Sequence, residues 1–326
     1  MIILYKIYGH EEILNIFQRI IAEDRVANAY LFAGEKGTGK RFMAEYFAMM
    51  LNCRSAVEKP CFSCSSCVKM ISKNHPDVFF IEADDSSIKV DTIRGIVNNM
   101  LIKPYEKGKK VFIIDDAEKM TSAAQNALLK ILEETPFYGV FIIISSKKEE
   151  LLSTIVSRCT TIFFNKEKNK NIKEFLISEL NIEEDKAQIL THLADGNFDM
   201  AKKLTDEVYL ELRDEIINFI NANIGKEDLN AIYKYDYFEK NKENIDDIIK
   251  IMISYFRDIY IFKQTNEFSL IKNIDKKHNI QEIAFKLTNL KLNNIISEIE
   301  EFNLNLMANV NYQLAVENLL LNIIGG

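Results

Sequence analysis

Proline stops at residue 136. Pro60, Pro76, Pro104 and Pro136 are the only four in a chain of 326 residues, and from 140 to 324 the only glycines are Gly196 and Gly225. The residues that interrupt helices are therefore nearly gone from the second half, which is expected to be mostly helical. Long apolar runs are missing too. No stretch approaches the roughly 20 apolar residues that span a bilayer, and no signal peptide is visible, so a soluble, cytoplasmic protein with no membrane partner is expected. Positive charge is not in excess. Residues 1–165 carry 21 Lys/Arg against 20 Asp/Glu, the remainder 20 against 28, for a net charge of -7. Neither half is the basic body of an autonomous DNA binder, and any nucleic-acid contact must be local or shared with partners. There is no internal repeat and no low-complexity tract. The four histidines, His10, His75, His192 and His278, are scattered and stand in no catalytic spacing with Cys or Ser, so each reads as packing or surface.

What is present is an alternation. "AYLFAG" (29–34), "DVFFIEA" (77–83), "KKVFIIDDAE" (109–118) and "GVFIIISS" (139–146) are short apolar runs with the look of buried strands. Between them, "RFMAEYFAMMLN" (41–52), "VDTIRGIVNNMLI" (90–102) and "TSAAQNALLKILEE" (121–134) are patterned as helices. Strands alternating with helices predict an α/β domain with a parallel sheet covered on both faces. "KEKNKNIKE" (166–174) is charged and reads as a connector to a helical part. There, "IDDIIKIMISYFRDIYIFK" (245–263) predicts a buried helix, and "VNYQLAVENLLLNI" (310–323) another, closed by Gly325.

"GEKGTGKR" (Gly34–Arg41) follows the first strand and opens the first of these helices. It nearly completes the phosphate-binding pattern G-x-x-x-x-G-K-[ST]. Gly34, Gly37 and Gly39 free the backbone to turn its N–H groups toward phosphate oxygens at a helix N-terminus, and Lys40 adds charge at the outer phosphates. A bland glycine turn beside a helix cap is the competing reading. The last position departs from the pattern. A Ser/Thr hydroxyl there ligates Mg²⁺, whereas Arg41 offers only donors and cannot ligate a metal. The apolar run of "VFIIDDAEKM" leads into Asp115 and Asp116 at a strand end, where a carboxylate could hold Mg²⁺ and its neighbour activate water, though a paired Asp could also simply cap the next helix. Glu118 stands nearby, out of register.

Cys53, Cys61, Cys64 and Cys67 lie in "CRSAVEKPCFSCSSC". Two successive C-x-x-C steps and a fourth thiol from the preceding helix end suit one tetrahedral metal ion, and with no open position a structural Zn²⁺ is expected. An iron–sulfur cluster also uses four Cys, but no redox-partner motif accompanies it, and disulfides are disfavoured in a cytoplasmic chain. Cys159 is expected to be buried and no ligand.

"GEKGTGKR", "IIDDAEKM", "NALLKILEE", "FIIISS" and "SRC", in this order, resemble the ATPase domains of bacterial clamp-loader subunits of the AAA+ class. "NHPDVFFIEADDSSIKVDTIR" and the terminal "NVNYQLAVENLLLNI" resemble the delta-prime branch rather than tau/gamma. The resemblance covers nearly the whole chain and is weakest from about 205 to 300. It implies an AAA+ domain over 1–165 with a zinc module at 53–67, a helical lid over 166–208, and an all-helical collar over 209–326 that joins an oligomer. It implies a degenerate nucleotide site of Gly34, Gly37, Gly39, Lys40, Arg41, Asp115 and Asp116, with Ser145 and Ser146 at the sensor-1 strand end. In "DGNFDMA" the lid position that normally carries an Arg is Asp199. It further implies that Arg158 of "SRC" is an arginine finger given to a neighbour's nucleotide, against the commoner case of a solvated or carboxylate-paired arginine. The function implied is a stator with weak or no ATPase of its own, in a ring with tau/gamma and delta that loads the sliding clamp on primed DNA. The alternative is a self-sufficient ATPase of tau/gamma type that tolerates Arg41. Bound ATP/Mg²⁺ on this chain is doubtful.

Overall fold

The computed structural model describes residues 6–83, 87–224, 231–308 and 310–324. They form two compact units, residues 1–171 with 196–199, and residues 172–195 with 200–326.

The first unit runs α1 (Glu11–Ala22), β1 (Ala29–Ala33), α2 (Lys40–Asn52), α3 (Ser65–Ile71), β2 (Val78–Ile81), α4 (Val90–Met100), β3 (Lys110–Ile114), α5 (Ser122–Glu133), β4 (Gly139–Ser145), α6 (Ser153–Val156) and β5 (Thr160–Phe163). The strands form one parallel sheet in the order β2-β3-β4-β1-β5. Leu31 lies opposite Ile143 and Thr161, and Phe112 opposite Phe79 and Phe141. Every residue of β1, β3 and β4 is buried, which is why these strands read as unbroken apolar runs instead of alternating ones. Side chains on a strand point alternately to its two faces. Tyr30 and Phe32 join Phe17, Met43 and Phe47 in one core layer. Leu31 joins Ile93, Leu128, Phe141 and Ile143 in the other. The four expected strands are all present. β5 was not expected, because its four residues leave only Ile162 buried and the apolar signal is correspondingly weak.

The sheet decides where a site can form. In a parallel sheet the carboxyl ends of the strands share one edge, and a crevice opens where strand order reverses. Here β1 lies between β4 and β5, so the segment after β1 emerges beside the ends of its neighbours.

The helices of the second unit are α7 (Asn169–Leu180), α8 (Glu184–Ala194), α9 (Phe198–Lys203), α10 (Glu207–Asn223), α11 (Ala231–Lys240), α12 (Ile245–Thr265), α13 (Lys277–Lys286), α14 (Asn289–Met307) and α15 (Tyr312–Ile324), α7 and α9 beginning within the first unit. α12 covers the expected 245–263 helix and buries Ile248, Met252, Tyr255, Phe256, Ile259 and Phe262 while packing on α10, α13 and α14. The connector expected over 166–174 is already helix from Asn169, its lysines and asparagines containing no breaker. Gly325, expected to close α15, lies outside the described residues. A polar cluster sits inside this apolar unit. Arg213 is 5% exposed, and its guanidinium donates to Asn273 Oδ1 at 2.8 Å and to both Asp275 oxygens at 2.8 and 2.9 Å. The fully buried Asp258 accepts from the Lys272 and Asn273 backbone N–H groups at 3.0 and 2.7 Å, and so fixes the turn before α13.

Candidate functional site: a glycine loop closed by an arginine

The glycines of the loop are forced. Gly34 has φ +156°, and a Cβ there would lie 2.1 Å from the Phe164 carbonyl oxygen. Gly37 and Gly39 both have φ +82°, a left-handed conformation that side chains disfavour. The loop is then tied down carbonyl by carbonyl. Lys40 Nζ donates to the Gly34 and Glu35 oxygens at 2.6 Å each, and reaches Ser146 Oγ at 3.5 Å. Thr38 Oγ1 donates to Glu35 O at 2.9 Å. Asn197 Nδ2 donates to Lys36 O at 2.7 Å, and the Phe198 N–H to Gly37 O at 2.8 Å. His10 Nε2–H donates to Thr38 O at 2.8 Å, while His10 Nδ1 lies 2.9 Å from Glu167 Oε1. Burial lowers the His10 pKa, against the opposing pull of Glu167 and the Thr38 carbonyl. His10 is therefore a strut of the loop, a role that no spacing in the sequence displays.

Lys40 is 5% exposed, and burial lowers its pKa against the attraction of Glu118, Asp115, Asp116 and Asp199. Glu118, out of register with the strand-end carboxylates in sequence, is part of the candidate site, because its carboxylate accepts the Ser146 N–H at 3.1 and 3.3 Å. Ser145 is buried and accepts the Lys147 N–H at 3.1 Å. Asp116 pairs with Lys119 at 2.7 Å. Asp199, in the first turn of α9, adds negative charge beside Lys40.

Arg41 closes the site. Its guanidinium lies 2.5 Å from Glu82 Oε1, 3.3 Å from Asp115 Oδ2 and 3.5 Å from Glu45 Oε1. The three carboxylates come from the end of β2, the end of β3 and one turn further along α2. Burial raises the Asp115 pKa, and Arg41 counters this by favouring the carboxylate. The cation nearest Asp115 is therefore part of the polypeptide. Glu45, four residues after Arg41 on the same helix, is a neighbour that spacing alone indicates. Glu82 is not, since only the pairing of β2 with β3 brings it across.

The four cysteines meet as expected. Their sulfurs lie within 4.8 Å of one another, and tetrahedral Zn–S bonds of about 2.3 Å would place sulfurs about 3.8 Å apart. Backbone N–H groups already point at them. Ser55 and Cys61 donate to Cys53 Sγ at 3.4 and 3.3 Å, Cys64 to Cys61 Sγ at 3.3 Å, and Cys67 to Cys64 Sγ at 3.5 Å. Such bonds favour thiolates. The Ser63 hydroxyl and N–H draw Cys61 down to about 6, while burial holds Cys53 and Cys67 up. The cluster could hold a metal ion, zinc included. Cys159 lies apart from the cluster and is only half-buried, where full burial was expected, though its surroundings still push the thiol up to about 12.

Two family models match this chain. "DNA polymerase III, delta subunit" covers residues 9–168, and its C-terminal counterpart covers 208–325. The DNA polymerase III subunit delta' of Bacillus subtilis is 30% identical over 95% of this chain and 94% of its own length. The chain belongs to the delta-prime family of DNA polymerase III clamp-loader subunits. The tau subunit of the same organism is 31% identical over 79% of this chain but only 50% of the relative. A DNA polymerase III gamma subunit-related protein from Thermotoga maritima matches in structure with a TM-score of 0.50 at 20% identity, over 94% of this chain and 97% of that one. That likeness bears on the fold, an AAA+-like arrangement.

In this delta-prime family member Arg158 is on the surface, in the turn between α6 and β5. It pairs with Glu133 at the end of α5, Nε to Oε1 at 2.9 Å, and donates from Nη1 to the Thr154 carbonyl at 3.0 Å. The sheet brings Gly34–Arg41, Asp115, Asp116, Ser145 and Ser146 to one edge, while Arg158 and the cysteines are separate features. Of the other histidines, His75 is buried against Ser66 Oγ at 3.0 Å, His192 is half-buried and His278 is exposed. No helix among the described residues is long and apolar enough to cross a membrane.

Proposed function

We propose that this chain is the stator of a cytoplasmic clamp loader, a subunit with little or no ATPase activity of its own that lends Arg158 to the nucleotide of a neighbouring ATPase subunit. One observation carries this reading, the guanidinium of Arg41 bridging Glu82, Asp115 and Glu45. Phosphoryl transfer needs Mg²⁺ to neutralise charge on the transferring group, and the metal is held by the loop hydroxyl and the strand-end carboxylate. Arg41 removes the hydroxyl and engages the carboxylate. Asp116, which would activate water, is paired with Lys119, and Asp199 opposes an outer phosphate where a lid arginine would attract it. The residues Gly34, Gly37, Gly39, Lys40, Ser145 and Ser146 keep the shape of a nucleotide site in which Arg41 puts a cation at the hydroxyl position and Asp199 an anion at the lid position, so Mg²⁺·ATP is not expected to bind productively.

The partners are tau/gamma and delta in a hetero-oligomeric ring, with the sliding clamp and primed DNA reached through the assembly. Residues 1–165 serve as the AAA+ domain, 166–208 as the lid and 209–326 as the collar, and the four cysteines hold structural zinc. The reading of a self-sufficient tau/gamma-like ATPase is disfavoured by the same Arg41 bridge. The test is ATP hydrolysis by the isolated chain and by the assembled ring with and without Arg158→Ala. The expected result is negligible turnover alone and a slowed ring with the variant. Turnover by the isolated chain at the rate of active AAA+ ATPases would discard the stator, and an unaffected ring would discard the finger.

A further inference from the structure

A guanidinium carries five N–H bonds in a rigid fork. In Arg158, Nε and Nη2 both donate to Glu133 Oε1, and Nη1 donates to the Thr154 carbonyl. Two N–H bonds remain, one on each terminal nitrogen, and among the described residues they have no partner. Two donors on adjacent nitrogens match two oxygens of one phosphate. The pair is at the surface, the Arg158 side chain 36% and that of Glu133 52% exposed. An exposed pair contributes little to folding, yet it holds an otherwise mobile side chain in one orientation. Both partners are fixed from behind. Glu133 is the last residue of α5, whose Leu128, Ile131 and Leu132 are buried, and Arg158 follows α6, whose Ile155 is buried.

We propose that Glu133 is the positioning residue for Arg158. It takes one edge of the guanidinium and so turns the two remaining donors outward, toward a phosphate on the neighbouring subunit. This rests on the finger reading above. A finger acts on charge that develops during phosphoryl transfer, so losing its orientation lowers kcat and leaves KM for ATP unchanged.

The test uses the assembled ring, with the other ATPase sites disabled so that hydrolysis reports the site beside this chain. Glu133→Ala is expected to lower kcat about tenfold at unchanged KM, less than the loss from Arg158→Ala. Glu133→Gln keeps an acceptor oxygen at the same reach and is expected to retain most of the rate. Glu133→Ala added to Arg158→Ala is expected to cost nothing further. If Glu133→Ala runs at the wild-type rate while Arg158→Ala is slow, Glu133 has no positioning role and the finger stands. A Glu133→Gln ring as slow as the alanine ring, or a further loss in the double variant, also overturns the proposal. A wild-type rate with Arg158→Ala removes the finger and this proposal together.

Discussion

Replacing Arg41 by serine completes the G-x-x-x-x-G-K-[ST] pattern and tests what the guanidinium does. In the absence of divalent metal the change leaves Glu45, Glu82 and Asp115 facing one another across gaps that Arg41 now spans at 3.5, 2.5 and 3.3 Å. The Arg41 side chain is 44% exposed, so each contact is screened and is worth at most about 1 kcal/mol. The loss across the three should be roughly 1–2 kcal/mol, a fall of about 3–6 °C in Tm for a unit of this size. Mg²⁺ can then take the vacated place between the new hydroxyl and Asp115. Ligand at 100 times its Kd stabilises by about 2.7 kcal/mol, enough to reverse the fall. The assay is thermal unfolding of wild type and Arg41→Ser in buffer without added divalent ion or chelator, so that zinc at the cysteines is left in place, in Mg²⁺ and in Mg²⁺ with ATP. Wild type should be indifferent to all three, and the variant should melt low without Mg²⁺ and recover with Mg²⁺·ATP. A wild-type protein already stabilised by Mg²⁺·ATP would refute the idea that Arg41 excludes the metal. A variant that melts at the wild-type temperature without Mg²⁺ would refute the charge bridge itself.

Metal analysis of the purified chain should find about one zinc per chain, as a closed four-thiolate site requires, and Cys67→Ser should lower both zinc content and Tm, whereas iron or no metal would overturn the assignment. Arg213→Ala should cost about 2 kcal/mol, because it leaves the buried Asn273 oxygen without its donor, while the more exposed Asp275 keeps Lys276 nearby; urea unfolding followed by circular dichroism would show it, and a cost below about 0.5 kcal/mol would mean the cluster is hydrated. Cys159 is only partly buried, yet its surroundings push the thiol up to about 12, so iodoacetamide at pH 8 should label it more slowly in the folded protein than in urea, and equal labelling rates would contradict that suppression.

The parts of this protein that its sequence determined are those set by near neighbours along the chain. β1, β3 and β4 are apolar throughout because both their faces are covered, and that leaves a mark in a single short window. The loop after β1 needs glycine at Gly34, Gly37 and Gly39 for backbone reasons that are local, and the C-x-x-C steps of the cysteine loop carry their chemistry in their spacing. The departure at Arg41 is likewise visible as a residue type. What Arg41 does was decided by tertiary structure. Asp115 and Glu82 arrive from the ends of two different strands, and a carboxylate's partner is set by distance in space, to which sequence separation gives no guide. The same holds for His10, whose bonds to Thr38 and Glu167 join segments far apart in the chain, and for Glu133, brought to Arg158 by the packing of α5 beside α6. β5 stayed hidden because an edge strand with one buried residue has almost no apolar signature. Hydrophobic burial is written in periodicity, and so the fold could be read; Coulomb and hydrogen-bond partners are chosen only once the sheet has placed its strand ends side by side.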